Sequence, residues 1–259
     1  MKTGSIATAL FAVGAIAAPN TAARRANNAA RIARKSNLRQ PSLGTASVNG
    51  TKNVEYSSNW AGAVISDSGF TSVVGTIVVP TPKSHGESAS ASAWVGIDGD
   101  TCGTAILQTG LDFTVDASGA VSYDAWYEWF PDYAYDFTGF SVKGGDEVKI
   151  TVTASSKSAG VATLENLTNG GKVSHSFSSE TNELCEYDAE WIVEDYEEGS
   201  SLVPFADFDS VTFTGASATQ NGKTVGVSGS SILDIEQGNS VLTDCSTSGS
   251  STVTCDYVG

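Results

Sequence analysis

Val121-Ser-Tyr-Asp-Ala-Trp-Tyr-Glu-Trp-Phe130 carries the alternation that decides the fold. Successive side chains of a β-strand point to opposite faces. One face of this strand would carry Val121, Tyr123, Ala125, Tyr127 and Trp129, an apolar set suited to a core. The other would carry Ser122, Asp124, Trp126, Glu128 and Phe130. A solvated outer face seldom holds Trp and Phe. A concave binding face does, because aromatics supply contact area and carboxylates supply hydrogen bonds. A strand between a core and a cleft is therefore set against the plainer reading, an outer face with stray aromatics.

Similar runs extend along the chain at Val73–Val79, Ala93–Ile97, Ala105–Thr109, Val148–Ala154, Lys172–Phe177, Val211–Thr214 and Thr252–Tyr257. Turn residues separate them at intervals of about ten residues, the signature of an antiparallel sandwich or barrel. One short helix is conceivable around Gly199–Ala206. Asp67-Ser-Gly69 reads as a hairpin turn. In Ala189-Glu-Trp-Ile-Val-Glu-Asp195, Glu190, Ile192 and Glu194 share one face. A carboxylate in such a strand is expensive to bury while ionised. Glu194 is thus either a surface residue or a tuned functional acid.

Charge divides the chain. Of its 259 residues, 14 are Lys or Arg and 29 are Asp or Glu, and the net charge is −15. The first 54 residues contain no acid, and eight of the cations lie there. From Glu55 onward, six lysines face all 29 acids, a net charge of −23. Such a body is ill suited to nucleic-acid backbones and to anionic membrane surfaces. Its aromatic content argues against disorder. Lys2 followed by the apolar stretch Ile6–Ala18 describes a secretory signal over residues 1–18. Residues 19–54, rich in Ala, Asn, Arg and Ser, read as a disordered tail or as a basic propeptide; the propeptide is favoured because its charge complements the acidic body. Residues 55–259 form the expected mature domain of a secreted, extracellular protein.

Cys102, Cys185, Cys245 and Cys255 form an even set, which in a secreted chain reads as disulfides. Three pairings are possible. Hairpin character between Cys245 and Cys255 suggests that these two pair, leaving Cys102 to Cys185. No metal site is expected, since CxxC is absent. Asn166-Leu-Thr168 is a glycosylation sequon, and Asn49-Gly-Thr51 is another in the leader. His85 and His175 sit in no triad context, His175 reading as an exposed strand residue. There is no G-x-S-x-G or HExxH. Chemistry by carboxyl and amide groups remains.

Tyr56-Ser-Ser-Asn-Trp-Ala-Gly62, Ala93-Trp-Val-Gly-Ile-Asp-Gly-Asp-Thr-Cys102, Ile106-Leu-Gln-Thr-Gly110, Tyr123-Asp-Ala-Trp-Tyr-Glu-Trp129 and Ala189–Asp195 occur in this order. Together they resemble the fungal glutamic peptidases, or eqolisins. The resemblance implies an all-β sandwich of two curved antiparallel sheets of about seven strands each, concanavalin- or jelly-roll-like. It implies a catalytic pair, Gln108 and Glu194. Trp60, Trp94, Asp98, Asp112, Asp124, Trp126 and Glu128 would line the substrate cleft, with Asp98 and Glu128 sharing a proton at low pH. It further implies acid activity, indifference to pepstatin, no cofactor, and the disulfide pairing above. The short loop after Pro80 and the absence of an insertion after Glu198 depart from some relatives, so a single mature chain is expected.

The expected protein is a monomeric secreted acid endopeptidase acting on protein and peptide substrates, with its own propeptide as intramolecular inhibitor. A β-sandwich glycosidase using two of Glu128, Glu190 and Glu194, and a non-catalytic binding sandwich, are the alternatives. Crowded carboxylates repel and hold protons more tightly when folded. Stability from such groups is present below their unfolded pKa and is lost as pH rises through the folded one. The mature domain should therefore melt at a higher temperature in acid than at neutral pH; a higher midpoint at neutral pH would contradict this.

Overall fold

The computed structural model describes residues 34–35, 37–42 and 54–259. The expected signal at 1–18, most of the propeptide and the Asn49 sequon lie outside the described residues. Two large sheets dominate. The first runs Lys172–Phe177, Ala159–Asn166, Glu147–Ser156, Phe70–Val78, Ser210–Gln220, Thr252–Tyr257 and Thr243–Ser248, with Lys223–Gly226 paired to the fifth; it has eight strands. The second has nine. It runs Ser240–Val241, Ser231–Gln237, Trp60–Ser66, Asp188–Glu194, Ala89–Ile97, Ile106–Val115, Val121–Phe130 and Tyr135–Asp136, with Val54–Ser57 added in parallel to Ser231–Gln237. Several strands are only two to four residues long, which takes the counts above the expected seven.

The main core lies between the sheets. In five strands of the nine-stranded sheet the odd-numbered residues enter it, among them Ala61, Ala63, Val95, Leu107, Leu111, Phe113, Trp129, Trp191 and Val193. Their even-numbered neighbours form a second apolar cluster on the opposite face: Trp60, Val64, Trp94, Ile106, Trp126, Phe130 and Ile192. A strand buried on one face only would alternate apolar with polar residues. Here both faces are dry.

Three local expectations are corrected. No helix forms at 199–206: Ser201–Leu202 pairs with Glu197–Glu198, and Pro204 accepts from Ser90 N–H at 2.9 Å. Backbone pairing with existing strands satisfies groups that one isolated turn of helix would leave orphaned. Asp67-Ser-Gly69 is not a hairpin turn. It links strands of different sheets, and Asp67 and Gly69 donate their N–H groups to the carbonyls of Tyr187 and Glu186. His175 is half-buried, stacked on Tyr127 with ring centroids 4.0 Å apart, and burial lowers its pKa.

Both disulfides form as expected. Cys245 and Cys255 face each other across a hairpin. Cys102–Cys185 ties the loop after Ala89–Ile97 to the segment entering Asp188–Glu194. Asn166, the sequon residue, is buried. Its Nδ2 donates to Ser141 O at 3.1 Å and Asp146 Oδ2 at 2.8 Å, so the nitrogen that would carry a glycan has both hydrogens engaged inside the fold.

Cys102–Cys185 spans 83 residues and Cys245–Cys255 spans 10. A cross-link that closes a longer loop removes more denatured-state entropy. Replacing the first pair by serine should cost about 4–5 kcal/mol and the second about 3 kcal/mol. Urea unfolding of the two double variants measures the difference; equal losses would contradict the loop-entropy account.

Candidate active site

The outer face of the nine-stranded sheet is organised by register into three rows. In the first, Glu128 lies opposite Gln108, Gln108 opposite Gly96, and Gly96 opposite Glu190. The second runs Trp126, Gly110, Trp94, Ile192. The third runs Asp124, Asp112, Ser92, Glu194, Trp60. All three rows use the even-numbered face. The structure thus gathers Gln108, Glu194, Trp60, Trp94, Asp112, Asp124, Trp126 and Glu128 on one surface. Gln108 and Glu194 occur on strands separated by Ala89–Ile97 and are stepped along it, so Glu190 is the acid level with Gln108.

The glycines shape this floor. A Cβ on Gly110 would lie 2.3 Å from the Ala93 carbonyl oxygen, and one on Gly96 would lie 2.7 Å from the Trp94 ring. Without these side chains, Trp94 spreads along the sheet. Its ring packs edge-to-face with Trp60 at 5.0 Å. Its indole N–H then donates to Glu194 Oε2 at 2.9 Å. A buried carboxylate needs such donors, because desolvation without compensation costs several kcal/mol. Glu194 is fully buried, so it is not the surface residue that one reading of its strand allowed.

Gln108 is also fully buried, and neither its Oε1 nor its Nε2 has a hydrogen-bond partner among the described residues. Leaving a buried amide unsatisfied costs about 1–3 kcal/mol. The two atoms are available to a ligand as acceptor and donor. Glu190 is buried with its carboxyl beside Gly96, and desolvation first, then the charges of Asp188, Asp98 and Asp100, pushes its pKa well above the usual range. Asp112 and Asp124 are directly opposed on adjacent strands.

Asp98 does not belong to this face. Its carboxylate accepts the N–H groups of Cys185, Glu186, Tyr187 and Asp188 at 2.6–3.2 Å. It therefore orders the 185–188 segment, and the proton-sharing pair with Glu128 is not formed. The reason is local: Asp98 adopts φ 70°, which turns the chain out of the strand. Asp98 with Cys102 and Cys185 is also the grouping of potential metal ligands among the described residues, but the two sulfurs are joined as a disulfide.

Two features escaped the sequence reading. Asp195, the residue after Glu194, is buried; desolvation raises its pKa to about 8, the Gln237 hydrogen bond lowers it, and Glu194 raises it. Gln237 Nε2 donates to Asp195 Oδ2 at 2.6 Å and to Ser58 O at 3.0 Å. The Glu-Asp doublet at a strand end was the available signal. The second feature is the point at which the expected leader touches the body. Residues 37–42 lie across the mouth of the site, and Asn37 N–H donates to Glu194 Oε1 at 3.2 Å. Leu38 packs against the outer aromatic cluster.

An antiparallel β-sandwich that buries carboxyl and amide groups on one outer face is the class that this fold and site define. Residues 58–257 match the Peptidase A4 family. Over the full length of both chains the protein is 52% identical to aspergillopepsin-2 of Aspergillus niger. It is 48% identical to scytalidopepsin B of Scytalidium lignicola over 80% of each chain. A crystal structure of scytalido-glutamic peptidase with a transition-state analog inhibitor superposes with a TM-score of 0.72, covering 78% of this chain and 98% of that one at 48% identity. Aspergilloglutamic peptidase from Aspergillus niger gives 0.64 at 61% identity, covering 66% and 99%. The chain belongs to the Peptidase A4 family and is a glutamic peptidase of the eqolisin type.

Asp195 gives a residue-level pH prediction. Its folded pKa of about 8 lies above the ordinary carboxyl value. Its contribution to stability is thus complete below about pH 4 and is lost as pH rises toward 8. Asp195→Asn, neutral throughout and still able to accept from Gln237, should lose less melting temperature between these pH values than the parent. An unchanged slope would show that Asp195 is ionised in the folded state at both ends.

Proposed function

We propose that the protein is a secreted acid endopeptidase, made as a zymogen, in which Glu194 and Gln108 activate water against the scissile peptide bond. The observation that carries this reading is the buried Glu194 carboxylate, held by Trp94 on the same dry face as an unpartnered Gln108 amide. Amide hydrolysis needs a nucleophile and stabilisation of a developing oxyanion. An ionised Glu194 takes a proton from water and passes it to the leaving nitrogen. The Gln108 Nε2–H group donates to the oxyanion while Oε1 orients the water. The surrounding Trp60, Trp94 and Trp126 exclude bulk solvent, which strengthens both interactions. Asp112, Asp124 and Glu128 supply polar groups on the same floor for the substrate backbone.

The leader fits the role of inhibitor. Asn37 N–H occupies Glu194 Oε1, and Arg34–Lys35 pairs as a strand with Glu197–Glu198, just beyond the catalytic strand. A basic segment is thereby laid along an acidic rim, where attraction weakens as carboxylates protonate. Secretion follows from the apolar stretch Ile6–Ala18.

The test uses precursor and mature protein with denatured protein as substrate at about pH 3–4, near unperturbed carboxyl pKa values. The wild-type precursor should be latent until its leader is removed. Mature Glu194→Gln and Gln108→Ala should each lose activity by about 10²–10⁴-fold. Wild-type digestion by either variant would overturn the pair, and full activity of the intact precursor would overturn the zymogen reading.

A further inference from the structure

We propose that Asp100, flanked by Glu55, is a specificity subsite that takes a basic side chain of the peptide substrate. The inference rests on reading the site as a peptidase cleft. It starts from the way the leader is held. Asn59 Nδ2 donates to Leu38 O at 3.3 Å, and Gln40 N–H donates to Asn59 Oδ1 at 2.9 Å. Arg39 N–H donates to Gly99 O at 3.3 Å, and Ser58 N–H donates to Gln40 O at 2.9 Å. These are main-chain contacts on the leader side, of a kind that any extended peptide offers. Specificity therefore falls to side chains.

Leu38 enters the aromatic cluster. Arg39 turns to the acids: Nη1 donates to Asp100 Oδ1 at 2.9 Å and Nη2 to Glu55 Oε2 at 2.6 Å. The Arg39 and Asp100 side chains are only 16% and 10% exposed, so this pair is shielded well beyond an ordinary surface ion pair. Arg39 lies two residues from Asn37, whose N–H sits on Glu194. Two residues of extended chain span about 7 Å. The guanidinium is therefore held within the reach of residues bordering a scissile bond.

Asp100 keeps its place without the leader. It belongs to the turn formed by Asp98 and Gly99, with φ 70° and 124°. That turn is locked by the four N–H groups on the Asp98 carboxylate, by Thr101 on Asp188 and by Cys102–Cys185. All these residues lie in the Peptidase A4 region. The groups facing Asp100 are Arg39, Glu55, Asp188 and the Ser66 hydroxyl, 3.5 Å away. Desolvation first, and the charges of Asp188 and Glu55, raise the Asp100 pKa, whereas Arg39 lowers it. Removing the leader leaves a confined carboxyl that a substrate cation would relieve.

Mature wild-type, Asp100→Asn and Asp100→Glu proteins should be given a complex peptide mixture at about pH 4.5 and again at about pH 6, the second well above an ordinary carboxyl value because burial raises that of Asp100. Mass spectrometry of the products reads side-chain preference around each cut. Wild type and Asp100→Glu should enrich Lys and Arg severalfold at one position, and Asp100→Asn should not. A matched pair of peptides carrying arginine or citrulline there should differ about tenfold in kcat/KM for wild type, chiefly through KM, and about onefold for Asp100→Asn. Should Asp100→Asn not fold, a second measurement needs no variant: a synthetic Ser36–Ser42 peptide should inhibit the wild-type mature protein about tenfold better than its Arg39→citrulline form. A wild-type profile without basic enrichment, undiminished enrichment in Asp100→Asn, or equal inhibition by the two peptides would overturn the subsite while leaving the peptidase reading intact. Folded wild type that cuts nothing would overturn both.

Discussion

The nine-stranded sheet is dry on both faces, and the rest of the structure answers to that constraint. Its odd-numbered side chains enter the core between the sheets. Its even-numbered side chains enter an outer aromatic cluster that also contains Gln108, Glu128, Glu190 and Glu194. Ionisable groups in such a place must be neutral, hydrogen-bonded or paired. Each solution is present. Burial pushes the pKa of Glu190 well up, Glu194 receives the Trp94 N–H, Asp98 collects four backbone N–H groups, and Asp195 is held by Gln237.

These solutions separate chemistry from scaffolding. Asp98, Asp188 and Cys102–Cys185 weld the 98–102 turn to the entry of the Glu194 strand. That turn borders the site at Gly99 and Asp100 without supplying its reactive groups. The strand Asp188–Glu194 is in this way fixed at one end by covalent and charge-assisted bonds. Its other end carries Glu194 and Asp195, two adjacent buried acids. An acid-adapted protein suits this design, because deprotonating several buried carboxyls at neutral pH would work against the folded state.

Charge segregation along the chain has a structural counterpart. The basic leader meets the acidic body where the site opens, with Asn37 on Glu194 and Arg39 on Asp100 and Glu55. Among the described residues the leader makes contacts through its backbone and through the side chains of Leu38, Arg39, Gln40 and Ser42. The described leader residues thus lie beside Glu194 and against the acids that border it.

Several features were legible in the amino-acid sequence alone because they depend on local periodicity and composition. The two-faced character of Val121–Phe130, the short strands, the Cys245–Cys255 hairpin and the boundary between basic and acidic segments all follow from neighbours within about ten residues. The motifs around Gln108 and Glu194 placed the chain in its family. What local pattern left open was decided by tertiary structure. Asp98 has the same residue type and a similar motif context to Asp112, yet one caps a loop distant in sequence and the other faces the cleft. Asn166 satisfies a sequon but spends its amide in the interior. Asp67-Ser-Gly69 has hairpin chemistry and instead joins two sheets. In each case the deciding partner is far along the chain, and burial, which sets the cost of an unpaired polar group, exists only once the sheets have closed.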